Sequence, residues 1–328
     1  MSLGLPIPRL SELLRREPVD VSRLVVKALR ERGVREILEH VQKHLKGLNG
    51  VVLDVLSGLS VGRHVWIVGP VGCGKTTLAE TIAEVLNLGE PPYIEVACHS
   101  HMTATELTGD IDIAVALQAG LDHPLAYIPG PLVLAHGRIL ILDEINRLSP
   151  YSQAALLQAL QEHYVLIRGL RVRSDFLMIA TGNPAEYSGT YDMSEALADR
   201  MKQVEITLPS KDILKEILLW KARMYTQELE AEISEELAEV LATMALLIRR
   251  DKASETEPSV RSCIYALAST VSRAWLQKKE PTIEDLRREV LQNLISLIQG
   301  DFSSEEEKLR YLDKKFREAL LLVRGREH

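Results

Sequence analysis

From residue 64 onward, short apolar runs rich in Val and Ile alternate with stretches whose apolar residues recur at helical spacing. The runs are His64–Val68, Tyr93–Ala97, 139–142, 176–181 and 203–207. Strands that alternate with helical segments predict an α/β fold around a five-stranded parallel sheet, because parallel neighbours need a crossover between them. Before this region, residues 10–46 read as charged amphipathic helices with Leu24, Val25, Leu29, Ile37, Leu38, Val41 and Leu45 on the apolar face, and "KGLNGV" supplies a loop after them. After Pro209 the period is helical throughout: "KDILKEILLWKARMY", "SEELAEVLATMALLI", "PSVRSCIYALASTVSRAWL" and "TIEDLRREVLQNLISLI" carry Ser, Thr or Pro at or near their starts. The predicted organisation is a helical lead-in over 1–46, an α/β domain over 47–208, an all-helical domain over 209–300 and a charged helix and tail over 301–328.

Composition narrows the classes. Hydrophobic residues make up 46% of the 328 and charged ones 26%. No apolar run approaches the roughly 18 to 20 residues of a membrane span, and "MSLGLPIPRL" lacks a signal-peptide pattern, so a soluble cytoplasmic protein is expected. The net charge of −7 argues against broad non-specific nucleic-acid binding. Cys73, Cys98 and Cys263 lie far apart without a CxxC, which predicts reduced thiols. Cys98, His99 and His101 crowd into four residues and cannot surround an ion unless the chain bends sharply, so no metal site is expected there.

The first chemical signal is "VGPVGCGKTTL". It fits G-x-x-x-x-G-K-[ST] at Gly69, Gly74, Lys75 and Thr76, follows the strand "HVWIV" and opens the helix "KTTLAETIAEVL". Glycines let backbone N–H groups curl around phosphate oxygens, and the helix N-terminus adds partial positive charge. Gly69, Pro70, Val71, Gly72, Cys73, Gly74, Lys75, Thr76 and Thr77 are therefore expected to bind ATP, with Lys75 on the β- and γ-phosphates and the Thr76 hydroxyl on Mg²⁺. The second is "RILILDEINR", an apolar strand ending in two carboxylates. Asp143 can hold Mg²⁺ through a water and Glu144 can deprotonate the attacking water. The third is "FLMIATGNP", in which Asn183 closes an apolar run as Asp143 does; alone, an Asn before Pro reads as a turn former.

Together these motifs resemble an AAA+ ATPase, in which Asn183 would be the sensor-one residue. "GNPAEYSGTYDMSEALADRMKQVEITLPS", "YIPGPLVLAHGRILILDEINR" and "QAALLQALQEHYVLIRG" closely resemble the MoxR family, over residues from about 47 to 290. The sequence departs from the family at Val71 and Cys73 in the loop and at Met201, where Phe is usual. The resemblance implies an αβα sandwich followed by a helical lid, and a homo-oligomeric ring, typically a hexamer, with ATP between subunits. Arg200 would be the arginine finger acting on a neighbour's ATP, whereas read alone it is a surface arginine paired to Asp199 or Glu195. Arg261 in "EPSVRS" would be the sensor-two arginine facing the γ-phosphate. Two inserts also match: residues 103–129, with Glu106, Asp110, Asp112 and Asp122 and no Lys or Arg, and the hairpin "HYVLIRGLRVRSD", with Arg168, Arg171 and Arg173. Such inserts face the ring's pore in this clade; bare, they are a solvated loop and hairpin. The implied output is remodelling of a protein client, or help with metal or cofactor insertion, alongside a partner carrying a von Willebrand A domain. The alternative is a nucleic-acid motor whose hairpin arginines touch phosphates.

Overall fold

In the computed structural model of the chain, residues 9–121, 123–183, 191–229 and 231–325 are described. They group into two units, one made of Met1–Gly69 with Gly74–Ile206 and the other of Pro70–Cys73 with Thr207–His328.

The first unit begins with α1 (Leu10–Leu14), α2 (Val21–Arg32), α3 (Val34–Gln42) and α4 (Asn49–Ser60). There follow β1 (His64–Val68), α5 (Lys75–Leu86), β2 (Tyr93–Ala97), α6 (Ala104–Thr108), β3 (Gly109–Ile111), α7 (Ile113–Ala119), β4 (Tyr127–Pro129) and α8 (Pro131–Leu134). The unit closes with β5 (Ile139–Asp143), α9 (Pro150–Glu162), β6 (Tyr164–Ile167), β7 (Leu170–Arg173), β8 (Leu177–Gly182), α10 (Glu195–Ala198) and β9 (Met201–Glu205). Five strands form one parallel sheet in the order β2-β5-β8-β1-β9. The central strands are buried on both faces, as a parallel sheet covered by helices requires: all six residues of β8 and the first four of β5 are buried. Alternation divides them. Leu140, Leu142, Met178 and Ala180 join Leu132, Leu156 and Leu160 in one core, while Ile141, Ile179, Val65 and Ile67 point to the opposite face. The result is an αβα sandwich.

The first two strands fall where the sequence puts them. The third extends one residue to Asp143, because Asp143 pairs with Ala97. The fourth is displaced by one residue to end at Gly182. The fifth is displaced by two, because its ladder runs His64 to Met201 through Val68 to Glu205, so the length of β1 sets its bounds. The lead-in belongs to this unit: Arg16 donates to the Val133 carbonyl (2.7 Å) and the Val19 amide to Asp175 (3.1 Å). The insert at 103–129 pairs β3 with β4, and β6 and β7 form the predicted hairpin.

The second unit holds α11 (Lys211–Thr226), α12 (Glu235–Arg249), α13 (Val260–Leu276), α14 (Ile283–Leu294) and α15 (Glu305–Arg324). Ser234, Ser259, Thr282 and Ser304 each accept a backbone N–H from the first turn of the helix they precede, which satisfies donors no helix can satisfy for itself. The segment 301–328, read from the sequence as a charged helix and tail, is described to residue 325 and contains α15. Leu312, Phe316, Ala319 and Val323 of α15 enter the same core as Leu241, Leu267 and Leu286. Among the described residues no helix is long and apolar enough to cross a membrane.

Candidate functional site

The sheet order places the C-terminal ends of β5, β8 and β1 side by side, and the sequence motifs sit at those ends. Residues 69–74 turn the chain from β1 into α5. Gly74 precedes the helix at φ +93°, and a Cβ there would lie 2.8 Å from Leu45 Cδ2, so both backbone and neighbour call for glycine.

Lys75 is buried, and its ammonium donates to the Gly69 carbonyl (2.9 Å) and to Asn183 Oδ1 (2.8 Å). The Thr76 hydroxyl donates to Asp143 Oδ1 (2.6 Å). Loop, β5 and β8 therefore meet through side chains separated by 67 and 108 positions in the chain. Thr77 is exposed on the first turn of α5.

Glu144 follows Asp143 in the left-handed region, φ +56°, a conformation uncommon for a residue with a side chain. Its amide donates to Thr181 Oγ1 (3.0 Å), and its carboxylate meets the Arg147 guanidinium at 2.6 Å. Asn146 is buried and donates to the Asn183 carbonyl (3.2 Å), which fixes the end of β8 to the turn after β5. The neighbourhood is electronegative. Burial first, then nearby carboxylates including Asp143, push the Glu80 and Glu95 carboxyls above their ordinary range. Burial, then Asp143 and Glu144, pushes the Cys98 thiol up to about 12, so it stays protonated. Hard oxygen donors on Thr76 and Asp143, surrounded by carboxylates, fit Mg²⁺ by the chemistry of the set.

Arg200 follows α10, and its guanidinium donates to the Ala196 carbonyl (2.5 Å) while pairing with neither Asp199 nor Glu195. Arg261 lies in the first turn of α13, exposed, within the second unit. In that unit Gly72 of the loop, at φ +73°, packs so closely that a Cβ on it would come 3.2 Å from the Cβ atoms of Ser259 and Arg261.

The acids and arginines of the inserts have local partners. Glu106 closes a capping box with Thr103, Asp112 caps α7, and Asp110 takes two hydrogen bonds from Arg168 (2.8 and 3.1 Å). Arg173 pairs with buried Asp175 at 2.7 Å, and Arg171 lies 4.7 Å from the centre of the Tyr164 ring. Asp122 and the segment 184–190, with Pro184 and the Gly189-Thr190 pair of the family pattern, lie outside the described residues. Sequence reasoning missed Thr181 and Asn146. The signal for Thr181 was a hydroxyl two positions before Asn183 in an otherwise apolar strand; Asn146 carried none.

Residues 64–201 match the AAA domain of the dynein-related subfamily. The chain is 30% identical over 165 residues to the uncharacterised protein YeaC of Bacillus subtilis, a match that covers 50% of this chain and 48% of that one, about half its length. It is 24% identical over 268 residues to the gas vesicle ATPase GvpN of Haloferax mediterranei, covering 71% of this chain and 74% of GvpN. Among solved structures, NtrX of Brucella abortus in complex with ADP shares the fold, with a TM-score of 0.58 at 18% identity over 94% of this chain and 69% of NtrX. The span similar to the AAA domain, residues 64–201, holds the parallel sheet and the three motifs at its strand ends.

Proposed function

We propose that the chain is a MoxR-type AAA+ ATPase that hydrolyses ATP in a homo-oligomeric, hexameric ring and uses the cycle to remodel a protein client, including metal or cofactor insertion and complex assembly. The observation that carries the reading is the convergence of Lys75, Thr76, Asp143 and Asn183 through direct hydrogen bonds at one edge of the sheet. An ammonium held against the sensor asparagine and a hydroxyl held against a strand-end carboxylate form the donor and acceptor set that a triphosphate needs. Lys75 would exchange Asn183 for phosphate oxygens, Glu144 would take the proton of the attacking water, and Asn183 would orient that water. Bound Mg²⁺ would supply neutralisation of charge on the phosphate oxygens. Arg200, with no carboxylate partner among the described residues, would be available to a neighbouring subunit, and Arg261 is read as the sensor-two arginine.

A protein client is favoured because Arg168 and Arg173 are each engaged by an aspartate, which leaves the hairpin a weak tracker of nucleic-acid phosphates. GvpN, named as an ATPase of gas vesicles, is a relative whose name fits service to a protein assembly. A von Willebrand A domain partner is part of the same reading. Glu144→Gln should keep ATP affinity while lowering turnover by about 10² to 10⁴, the usual cost of losing a general base. Lys75→Ala should lose affinity for ATP itself. Turnover of Glu144→Gln within a factor of about two of the unaltered chain would remove Glu144 as the base, and undiminished ATP affinity in Lys75→Ala would remove the phosphate-loop reading. The Glu144→Gln chain, holding ATP, is also the form in which to capture the client.

A further inference from the structure

We propose that Thr181 is a positioning residue that fixes both acidic groups of the site through a single hydroxyl. The proposal rests on the ATPase reading above. Thr181 sits in β8, fully buried, two residues before Asn183. Its Oγ1 donates to Asp143 Oδ1 at 2.5 Å and accepts the Glu144 amide at 3.0 Å. One donor and one acceptor are thus used at once, on the last residue of β5 and the residue that follows it.

The geometry gives each bond a task. Asp143 Oδ1 accepts from both Thr76 and Thr181. Thr76 is the residue whose hydroxyl the reading commits to Mg²⁺. Once it is so engaged, Thr181 is the remaining side-chain donor on Oδ1 among the described residues. The second bond holds the peptide between Asp143 and Glu144 where Glu144 turns to φ +56°. That turn is sparsely populated for a residue with a Cβ and persists only where surrounding contacts fix it. Without the hydroxyl, the Glu144 amide loses its acceptor and Asp143 a donor, and each acid loses a restraint that Thr181 alone supplies. Because Thr181 lies on β8 two residues before Asn183, which directly follows the strand, displacement of β8 by events at Asn183 reaches both acids through the same atom.

Thr181→Val and Thr181→Ser separate the hydroxyl from the packing. Valine keeps the branched shape, and serine keeps the hydroxyl. Groups that orient metal ligands or catalytic carboxylates typically cost about 10- to 100-fold in metal affinity or activity when lost. Thr181→Val should therefore lower kcat by about that factor. It should also raise the Mg²⁺ concentration for half-maximal rate, with KM for ATP nearly unchanged. Thr181→Ser should come back close to the unaltered chain. A second readout needs neither nucleotide nor metal: hydrogen exchange at the Glu144 amide should speed up in Thr181→Val and stay protected in Thr181→Ser.

Unchanged kcat and Mg²⁺ requirement in Thr181→Val would overturn the proposal, as would a Thr181→Ser as impaired as Thr181→Val, since the methyl would then be what matters. If the unaltered chain itself hydrolyses no ATP, the ATPase reading falls, and the exchange measurement decides this proposal alone: fast Glu144 exchange confined to Thr181→Val upholds the clamp, and equal exchange in all three chains ends it.

Discussion

His64 opens β1 with its half-buried ring packed against Phe176, 6.0 Å between centres, and its Nδ1 accepts the Met178 amide of β8 at 3.1 Å. Desolvation first, then the nearby His163, push its pKa down to about 4. The neutral ring is the one that can accept that bond. Because the folded value lies below the unfolded one, the unfolded chain binds more protons between about pH 6.5 and 4, and stability falls as pH falls through that window. The loss is at most about 3 kcal/mol by the conversion of a pKa shift to free energy. In His64→Asn, whose Oδ1 can replace the accepting nitrogen, the melting temperature should fall less steeply from pH 7 to 4.5. Parallel slopes for the two chains would show that His64 titrates normally. At this scale the candidate groups Lys75, Thr76, Asp143, Glu144 and Asn183 stand out in the sequence by type and spacing, and the structure joins Lys75 to Asn183 and Thr76 to Asp143. The groups that hold them, Thr181 and Asn146, do not, since what each touches depends on which strands lie side by side.

Among the elements, α15 shows how charge can hide a core helix. Its sequence opens on Glu305, Glu306 and Glu307 and carries Arg and Lys throughout, yet Leu312, Phe316, Ala319 and Val323 recur at i, i+4, i+7 and i+11 and form a narrow apolar stripe. Phe316 is almost fully buried against the other helices of the second unit, so Phe316→Ala should destabilise that unit by about 3 to 5 kcal/mol. Leu321→Ala on the same helix, 74% exposed, should change it by less than about 0.5 kcal/mol. Urea titration followed by hydrogen exchange in α12, a direct packing partner of α15, measures both; equal midpoints for the two variants would mean that α15 is the peripheral tail its composition suggests. The starts of α12, α13 and α14 were readable because capping is local. The bounds of β9 were not, because its partner β1 fixed them.

For the assembled molecule, the ring reading makes Arg200 a residue that acts on ATP held by another subunit. Its guanidinium meets no carboxylate in its own chain among the described residues and reaches back only to the Ala196 carbonyl. An arginine supplied from a neighbour is worth about 10³ to 10⁵ in rate, because it stabilises charge that grows only in the transition state. Arg200→Ala should bind ATP nearly normally and hydrolyse it poorly. Mixing Arg200→Ala with Lys75→Ala subunits, each inactive alone, should return part of the activity, since some interfaces then join an intact loop to an intact Arg200. Full activity of Arg200→Ala by itself, or no recovery in assemblies whose mixed composition is verified by mass, would count against the trans role.

The amino-acid sequence by itself determined the alternation of strands and helices, the phosphate-loop motif, the acids at the end of β5 and the helical character after Pro209. These follow from a strand period of two, a helix period of 3.6 and turn chemistry, all of which act over a few residues. Tertiary structure decided the rest. It put β8 between β5 and β1, and so brought Thr181 to Asp143 across 38 positions and Asn183 to Lys75 across 108. It joined the lead-in to α8 through Arg16 and to the loop before β8 through Val19 and Asp175, and drew α15 into a core its charges did not announce. The physical reason is that hydrogen bonds between strands distant in sequence are set by the order of those strands in the sheet, and no local pattern encodes that order.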